Sequence, residues 1–185
     1  MSTATTADRE PQAGPPLDLH HYGHDTGDPL TGLHLVHGGP GTGKSALAHR
    51  IALRHVDLGV PVWLAGGGTD DAPHPWSSLP TQARWSDPAA ALQAVFAKIR
   101  IDGGPLLLVV DEAGTALFEG DAGHWTRYLA TWGRGQLVGA VLLTRRMNQV
   151  PLETQSAAAT VTVCPDGRTA RRPTAPTDRT GDAEG

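Results

Sequence analysis

The sequence predicts an α/β fold around a mostly parallel sheet, on three observations. Short aliphatic runs alternate with segments carrying helical stripes, the pattern of successive β-α units. One run, Leu106 to Val110, is aliphatic at every position, as a strand covered on both faces requires. The connection between the first run and the first stripe, Gly38-Gly39-Pro40-Gly41-Thr42-Gly43, is dense in glycine, as a tight strand-to-helix turn demands.

Taken in order, Gly32 to His37 reads as the first strand. A helix follows from about Gly43 to Leu58, with Leu47, Ile51 and His55 on one stripe and Gly59 and Pro61 as its stop. Pro61 to Ala65 is a second strand. Asp87 is a good N-cap and Pro88 suits the first helical position. Leu92, Val95, Phe96 and Ile99 then repeat at i, i+3, i+4 and i+7, a helix ending near Arg100. Asp102-Gly103-Gly104-Pro105 turns the chain into the strand Leu106 to Val110. Trp125, Tyr128, Leu129 and Trp132 mark another helix, stopped at Gly133. Leu137 to Thr144 and Ala159 to Val163 supply the fourth and fifth strands. Residues 66–86 show no clear periodicity and form a connection longer than usual.

The 185 residues suit one domain, with a disordered N-terminal arm over 1–29, a folded unit over 30–164 and a disordered tail over 165–185. Hydrophobic residues make up 39%, and glycine and proline together are about a fifth, which excludes wholesale disorder and a collagen-like repeat. The longest aliphatic run is far short of the roughly 20 residues a bilayer span needs, and the first 30 residues hold no signal-like apolar segment. A cytoplasmic protein without membrane insertion is therefore expected. A single cysteine, Cys164, excludes a disulfide framework and fits a reducing compartment. The formal net charge of −4 resides in the arm, so the folded part is neutral and its charge speaks neither for nor against nucleic acid. His20, His21 and His24 lie in the arm, where Gly23 interrupts any helix that would fix them, and they read as solvated histidines.

Only two lysines occur, Lys44 and Lys98. Lys44 completes Gly38-Gly39-Pro40-Gly41-Thr42-Gly43-Lys44-Ser45, a G-x-x-x-x-G-K-[ST] phosphate loop placed between a strand and a helix. Its backbone N–H groups and the helix N-terminus, through Ala46, cradle phosphates. Lys44 reaches the β- and γ-phosphates, and the Ser45 hydroxyl is a Mg²⁺ ligand. The strand Leu106 to Val110 delivers Asp111 and Glu112 at its carboxyl end, Asp111 to hold Mg²⁺ through water and Glu112 to position or deprotonate the attacking water. The acid pair favours hydrolysis of ATP over transfer to an acceptor. The fold class sharpens accordingly to a P-loop NTPase, a RecA-like three-layer sandwich with a mostly parallel central sheet of about five strands.

With both motifs placed, the chain resembles the motor domain of the FtsK/HerA family of DNA-pumping ATPases. Gly32-Leu33-His34-Leu35-Val36 looks like that family's entry strand, and Val109-Val110-Asp111-Glu112 like its acidic motif. Ala130 to Arg146 lies over the family pattern without a gap, with Ala130, Gly133, Arg134, Thr144 and Arg146 on matching positions. The resemblance covers about Leu30 to Val163. It implies a Mg²⁺-dependent ATPase, a homo-oligomeric ring and DNA as a partner, in a stand-alone motor of conjugation or packaging type. It also implies that Arg134 acts as an arginine finger in a neighbouring subunit's site; as an exposed residue between two glycines it reads equally as a solvated helix-end charge.

The sequence departs from the pattern at three places. Arg145 stands where the family has a polar γ-phosphate sensor, Met147 replaces a proline, and Gly66-Gly67-Gly68-Thr69 replaces the usual Asp-Pro-Lys-Gly. Arg145 and Arg146 can sense phosphate, pair with Asp111 or Glu112, or grip DNA. Trp76, Arg84 and Trp85 offer either a base-stacking surface or pins that fasten a long loop to the core. His34 and His37 read as satisfied core or rim histidines, and Cys164 as a small hydrophobe at a strand end. Two other readings stand beside the motor: a regulatory NTP-binding module that recruits a protein partner, and a helicase-like ATPase domain.

Overall fold

Apolar side chains alternate along each strand and so sort onto the two faces of one sheet. The computed structural model describes residues 29–66, 75–164 and 169–172. Residues 1–28 of the arm expected over 1–29, with its three histidines, and residues 165–168 and 173–185 of the expected tail lie outside the described residues. The sheet is built from β1 (Gly32–His37), β2 (Val62–Ala65), β3 (Ala83–Trp85), β4 (Leu106–Val110), β5 (Val138–Thr144), β6 (Ala159–Val163) and β7 (Thr169–Arg172). Their order is β3-β2-β4-β5-β1-β6-β7, parallel throughout except for β7, which runs antiparallel to β6.

Among the described residues four α-helices flank it: α1 (Lys44–Asp57), α2 (Pro88–Ile101), α3 (Gly120–Trp132) and α4 (Leu152–Ala157). On one face Val36, Leu64, Leu107, Val109, Val141 and Leu143 pack against Leu47, Ala48 and Ile51 of α1. On the other, Leu33, Leu35, Leu108, Val110, Ala140 and Leu142 pack against Ala91, Leu92 and Val95 of α2 and Leu129 of α3. The rings of Phe96, Trp125 and Tyr128 join α2 to α3, with centroids 3.8 and 5.1 Å apart. This is the three-layer sandwich expected, with all five residues of β4 buried.

The α1 stripe closes as read: Leu47, Ile51 and His55 are all buried. His55 satisfies both ring nitrogens, Nδ1–H donating to the Ile51 carbonyl at 2.8 Å and Nε2 accepting from the Leu30 N–H at 2.9 Å. Asp87 caps α2 through the Ala89 N–H at 2.9 Å, with Pro88 opening the helix. Gly133 ends α3, but Trp132, on the same expected stripe, stays 52% exposed because it sits in the last turn, beyond the neighbouring layer.

Three corrections follow. The sheet has seven strands rather than about five. β3 is a three-residue edge strand inside the segment read as structureless, and its Ala83-Arg84-Trp85 is too short and polar to signal a strand. β7 falls within the tail expected to be disordered, because pairing with β6 orders four residues whose own composition carries no apolar run. The short helix α4 has no apolar stripe, Leu152 being 79% exposed, and escapes a periodicity test for that reason.

Candidate nucleotide site

A parallel sheet places every β-to-α turn at the carboxyl ends of its strands, so the loop after β1 and the acid pair after β4 meet at one edge. The glycine-rich loop Gly38-Gly39-Pro40-Gly41-Thr42-Gly43 runs directly into α1. Gly41 and Gly43 take left-handed φ values of 70° and 94°, a conformation that disfavours a Cβ. Thr42 Oγ1 donates to the Gly39 carbonyl at 3.0 Å and closes the loop upon itself. The Lys44 ammonium donates to the carbonyls of Gly38 and Gly39 at 2.8 and 2.7 Å, which holds its charge over the loop. Ser45 and the exposed Ala46 follow in the first turn of α1.

Asp111 ends β4 almost fully buried, at 6% exposure. Its Oδ2 accepts from Ser45 Oγ at 3.2 Å and from the Trp76 indole Nε1 at 2.6 Å. Ser45 thus keeps its lone pairs while donating its proton, and a hydroxyl beside a carboxylate is a pair of hard oxygens that fits Mg²⁺. The backbone nearby is tightly constrained. Gly66, at the end of β2 with φ 71°, lies so close that a Cβ there would stand 2.3 Å from the Asp111 carbonyl oxygen.

Glu112 adopts φ 63°, a left-handed conformation uncommon outside glycine, and this turns its side chain outward from the strand end. Arg145, just beyond β5, donates from Nη2 to Glu112 Oε1. Thr144 Oγ1 accepts from the Arg146 N–H at 3.2 Å and shapes the turn that presents Arg145. Of the three options read from sequence for these arginines, the structure pairs Arg145 with Glu112, while Arg146 is exposed on the same turn. Burial pushes the Lys44 ammonium below its usual range; Arg145 adds to this, whereas Asp111 and Glu112 oppose it. His37, at the end of β1, is likewise lowered, by burial and then by Lys44, and its Nε2 bonds Thr162 Oγ1 at 2.9 Å. His34 Nε2 meets the Thr31 carbonyl at 3.0 Å, so neither histidine of this strand is a ligand in waiting.

Arg134 is not brought to this edge. It lies in the turn before β5 with its side chain against Gly32, the first residue of β1, about 17 Å of strand from the phosphate loop. The choice between stacking surface and pins for Trp76, Arg84 and Trp85 resolves toward pins. Trp76 is 1% exposed, Trp85 packs on Trp63 at 4.9 Å, and Arg84 donates to the Trp76 and Leu79 carbonyls at 2.6 and 3.3 Å. The bond from Trp76 to Asp111 was invisible to sequence reading, because nothing in a tryptophan's spacing announces the partner of its indole N–H. No group of three or more His, Cys, Asp or Glu able to hold a metal occurs among the described residues.

A phosphate loop after β1, joined through Ser45 to an acid at the end of β4, with β5 lying between the two strands, defines the fold as that of a P-loop NTPase. No protein-family model matches the sequence, and no curated protein matches it in sequence. In structure the chain is similar to B204, the DNA-packaging ATPase from Sulfolobus turreted icosahedral virus. The TM-score is 0.55 and the identity 12%, over 71% of this chain and 74% of that one. It is also similar to the genome-packaging NTPase B204 from Sulfolobus turreted icosahedral virus 2. Against the complex with AMPPCP the TM-score is 0.54 at 17% identity, over 73% of this chain and 75% of that one. Against the complex with ATP-gammaS it is 0.53 at 14%, over 71% and 74%. The chain thus shares its fold with these genome-packaging NTPases. No helix among the described residues is long and apolar enough to cross a membrane.

Proposed function

We propose that the chain is a Mg²⁺-dependent ATPase that works as a homo-oligomeric ring to move DNA. The observation that carries the ATPase reading is the Ser45–Asp111 bond, which ties the phosphate loop to the acid-bearing strand and leaves Glu112 beside it at the loop edge. The likeness of fold to a DNA-packaging ATPase supports the motor reading.

In this reading the loop N–H groups of Gly39 and of Gly41 through Ser45, with the Lys44 ammonium, bind the phosphates of ATP, Lys44 exchanging the Gly38 and Gly39 carbonyls for phosphate oxygens. Ser45 and Asp111 would hold Mg²⁺, which supplies charge neutralisation on the phosphates. Glu112 orients the attacking water and accepts its proton. To do so it must leave Arg145, whose guanidinium is then available to the γ-phosphate. The ion pair is well exposed on both sides, with side chains 61% and 63% accessible, so its rupture costs little. Arg134, at the far edge, serves a neighbour's site. Cytoplasmic location accords with this role.

The Arg145–Glu112 pair also favours a second reading, a regulatory NTP-binding module in which Glu112 is held away from water and the bound nucleotide recruits a protein. Glu112→Gln separates site from function. ATP should still bind while hydrolysis falls by on the order of a hundredfold or more. A variant that hydrolyses at the parent rate would move the base elsewhere. Hydrolysis measured with and without duplex DNA, across a salt series, then distinguishes the two readings. The motor predicts a salt-sensitive stimulation, and the regulatory module predicts none.

A further inference from the structure

We propose that Trp76 is a positioning residue that fixes Asp111 for metal binding, a proposal that rests on the reading of this edge as a Mg²⁺–nucleotide site. Trp76 stands in a short 3-10 turn, Pro75–Ser78, between β2 and β3, away in sequence from both motifs. Three contacts clamp it. Arg84 takes its carbonyl at 2.6 Å, the His49 ring of α1 lies tilted against it at 5.9 Å, and its indole Nε1 donates to Asp111 Oδ2 at 2.6 Å. Donor and acceptor are both buried, at 1% and 6% exposure.

The choice of an indole has a chemical consequence. A buried carboxylate must be hydrogen-bonded to stay ionised, and a lysine or arginine in that place would satisfy the oxygen while cancelling the charge that attracts a cation. An indole N–H donates and can do nothing else: it carries no charge, titrates nowhere and is no metal ligand. It therefore orients the carboxylate and leaves its charge for the metal. Because Oδ2 also accepts from Ser45, the indole fixes the angle at which both oxygen ligands are presented, as outer hydrogen-bond partners do at other metal sites.

The test uses the full chain and mant-ADP anisotropy with Mg²⁺ titrated from an EDTA baseline. In Trp76→Phe, which keeps a ring and removes the donor, the Mg²⁺ concentration at half effect should rise about tenfold or more. Affinity for mant-ADP in EDTA should stay within about twofold of the parent. An unchanged Mg²⁺ requirement overturns the proposal, and so does an equal loss in EDTA, which would mark Trp76 as support for the loop alone. Asp111→Asn is the reference. If it too leaves the Mg²⁺ requirement unchanged, the metal reading of the site fails and the proposal with it; if it raises the requirement while Trp76→Phe does not, only the role of Trp76 fails. Should Trp76→Phe not fold, the parent decides by ¹⁵N NMR. The Trp76 indole N–H should be protected from exchange and shift when Mg²⁺ is added to the ADP complex, and a resonance that does not move overturns the proposal.

Discussion

The two edges of the sheet differ in the groups they carry. At the carboxyl edge the chain answers its own charges: Lys44 by loop carbonyls, Asp111 by Ser45 and Trp76, Glu112 by Arg145. At the opposite edge Arg134 lies over Gly32, and Ile101, Trp132 and Leu137, which end α2, end α3 and precede β5, are 84%, 52% and 53% exposed. Single exposed apolar residues are ordinary. In the proposed ring these three, beside the arginine that the family resemblance assigns to a neighbour's site, would be covered by the adjoining subunit. In the proposed motor the first edge exchanges these partners for nucleotide, and the second faces a neighbouring subunit.

The largest expected effect tests the first edge. Lys44→Ala should weaken ATP binding by on the order of a hundredfold or more, because the phosphates lose their fixed cation. Arg134→Ala should leave affinity within about twofold; equal losses in a direct binding titration would erase the distinction between edges. A smaller effect compares two left-handed positions. Gly66→Ala combines φ 71° with a Cβ 2.3 Å from a backbone oxygen and should cost roughly 3 kcal/mol or more of folding stability. Leu137, at φ 58° but exposed, should tolerate Leu137→Asn within about 1 kcal/mol, since asparagine accepts this conformation. Denaturant midpoints decide, and a costly Leu137→Asn would mean that the far edge is held by the fold after all.

The smallest effect is in pH. His37 and His49 both titrate below the usual 6.5, His37 through burial and then Lys44, His49 through burial, and His49 Nε2 has no hydrogen-bond partner among the described residues. A lowered value means that the unfolded chain takes up protons first as pH falls from 6.5. The stability that these residues contribute is therefore complete above 6.5 and lost on acidification through the lowered values. Melting at pH 7.5 and 5.5 should show this loss, reduced in His49→Gln; an undiminished loss would remove His49 from the account.

Much of the carboxyl edge was legible because its chemistry is local in sequence. Eight consecutive residues spell the phosphate loop, and an aliphatic run must deliver whatever acid follows it. The same logic found β1, β4 and α2, whose boundaries follow from Pro88, Asp87 and unbroken apolar patterning. What escaped depends on tertiary partners. β3 and β7 exist because β2 and β6 offer edges to pair with, and Trp76 bonds an aspartate 35 positions away. Arg145 likewise reads as sensor, partner or DNA contact until the fold sets it beside Glu112.

In the proposed motor, a nucleotide site finished by its own chain at one edge is activated by Arg134 from the other edge of a neighbour. The direct measurement is ATP hydrolysis by Arg134→Ala and Lys44→Ala proteins, alone and mixed. Each alone should be nearly inactive, Arg134→Ala by roughly 10³-fold because charge developing on the transferred phosphate is left unanswered. Mixing should restore part of the rate, since Lys44→Ala subunits can lend Arg134 to the intact nucleotide sites of the other variant. Full activity of Arg134→Ala alone, or inactive variants whose mixture stays inactive while co-assembling, would contradict the account.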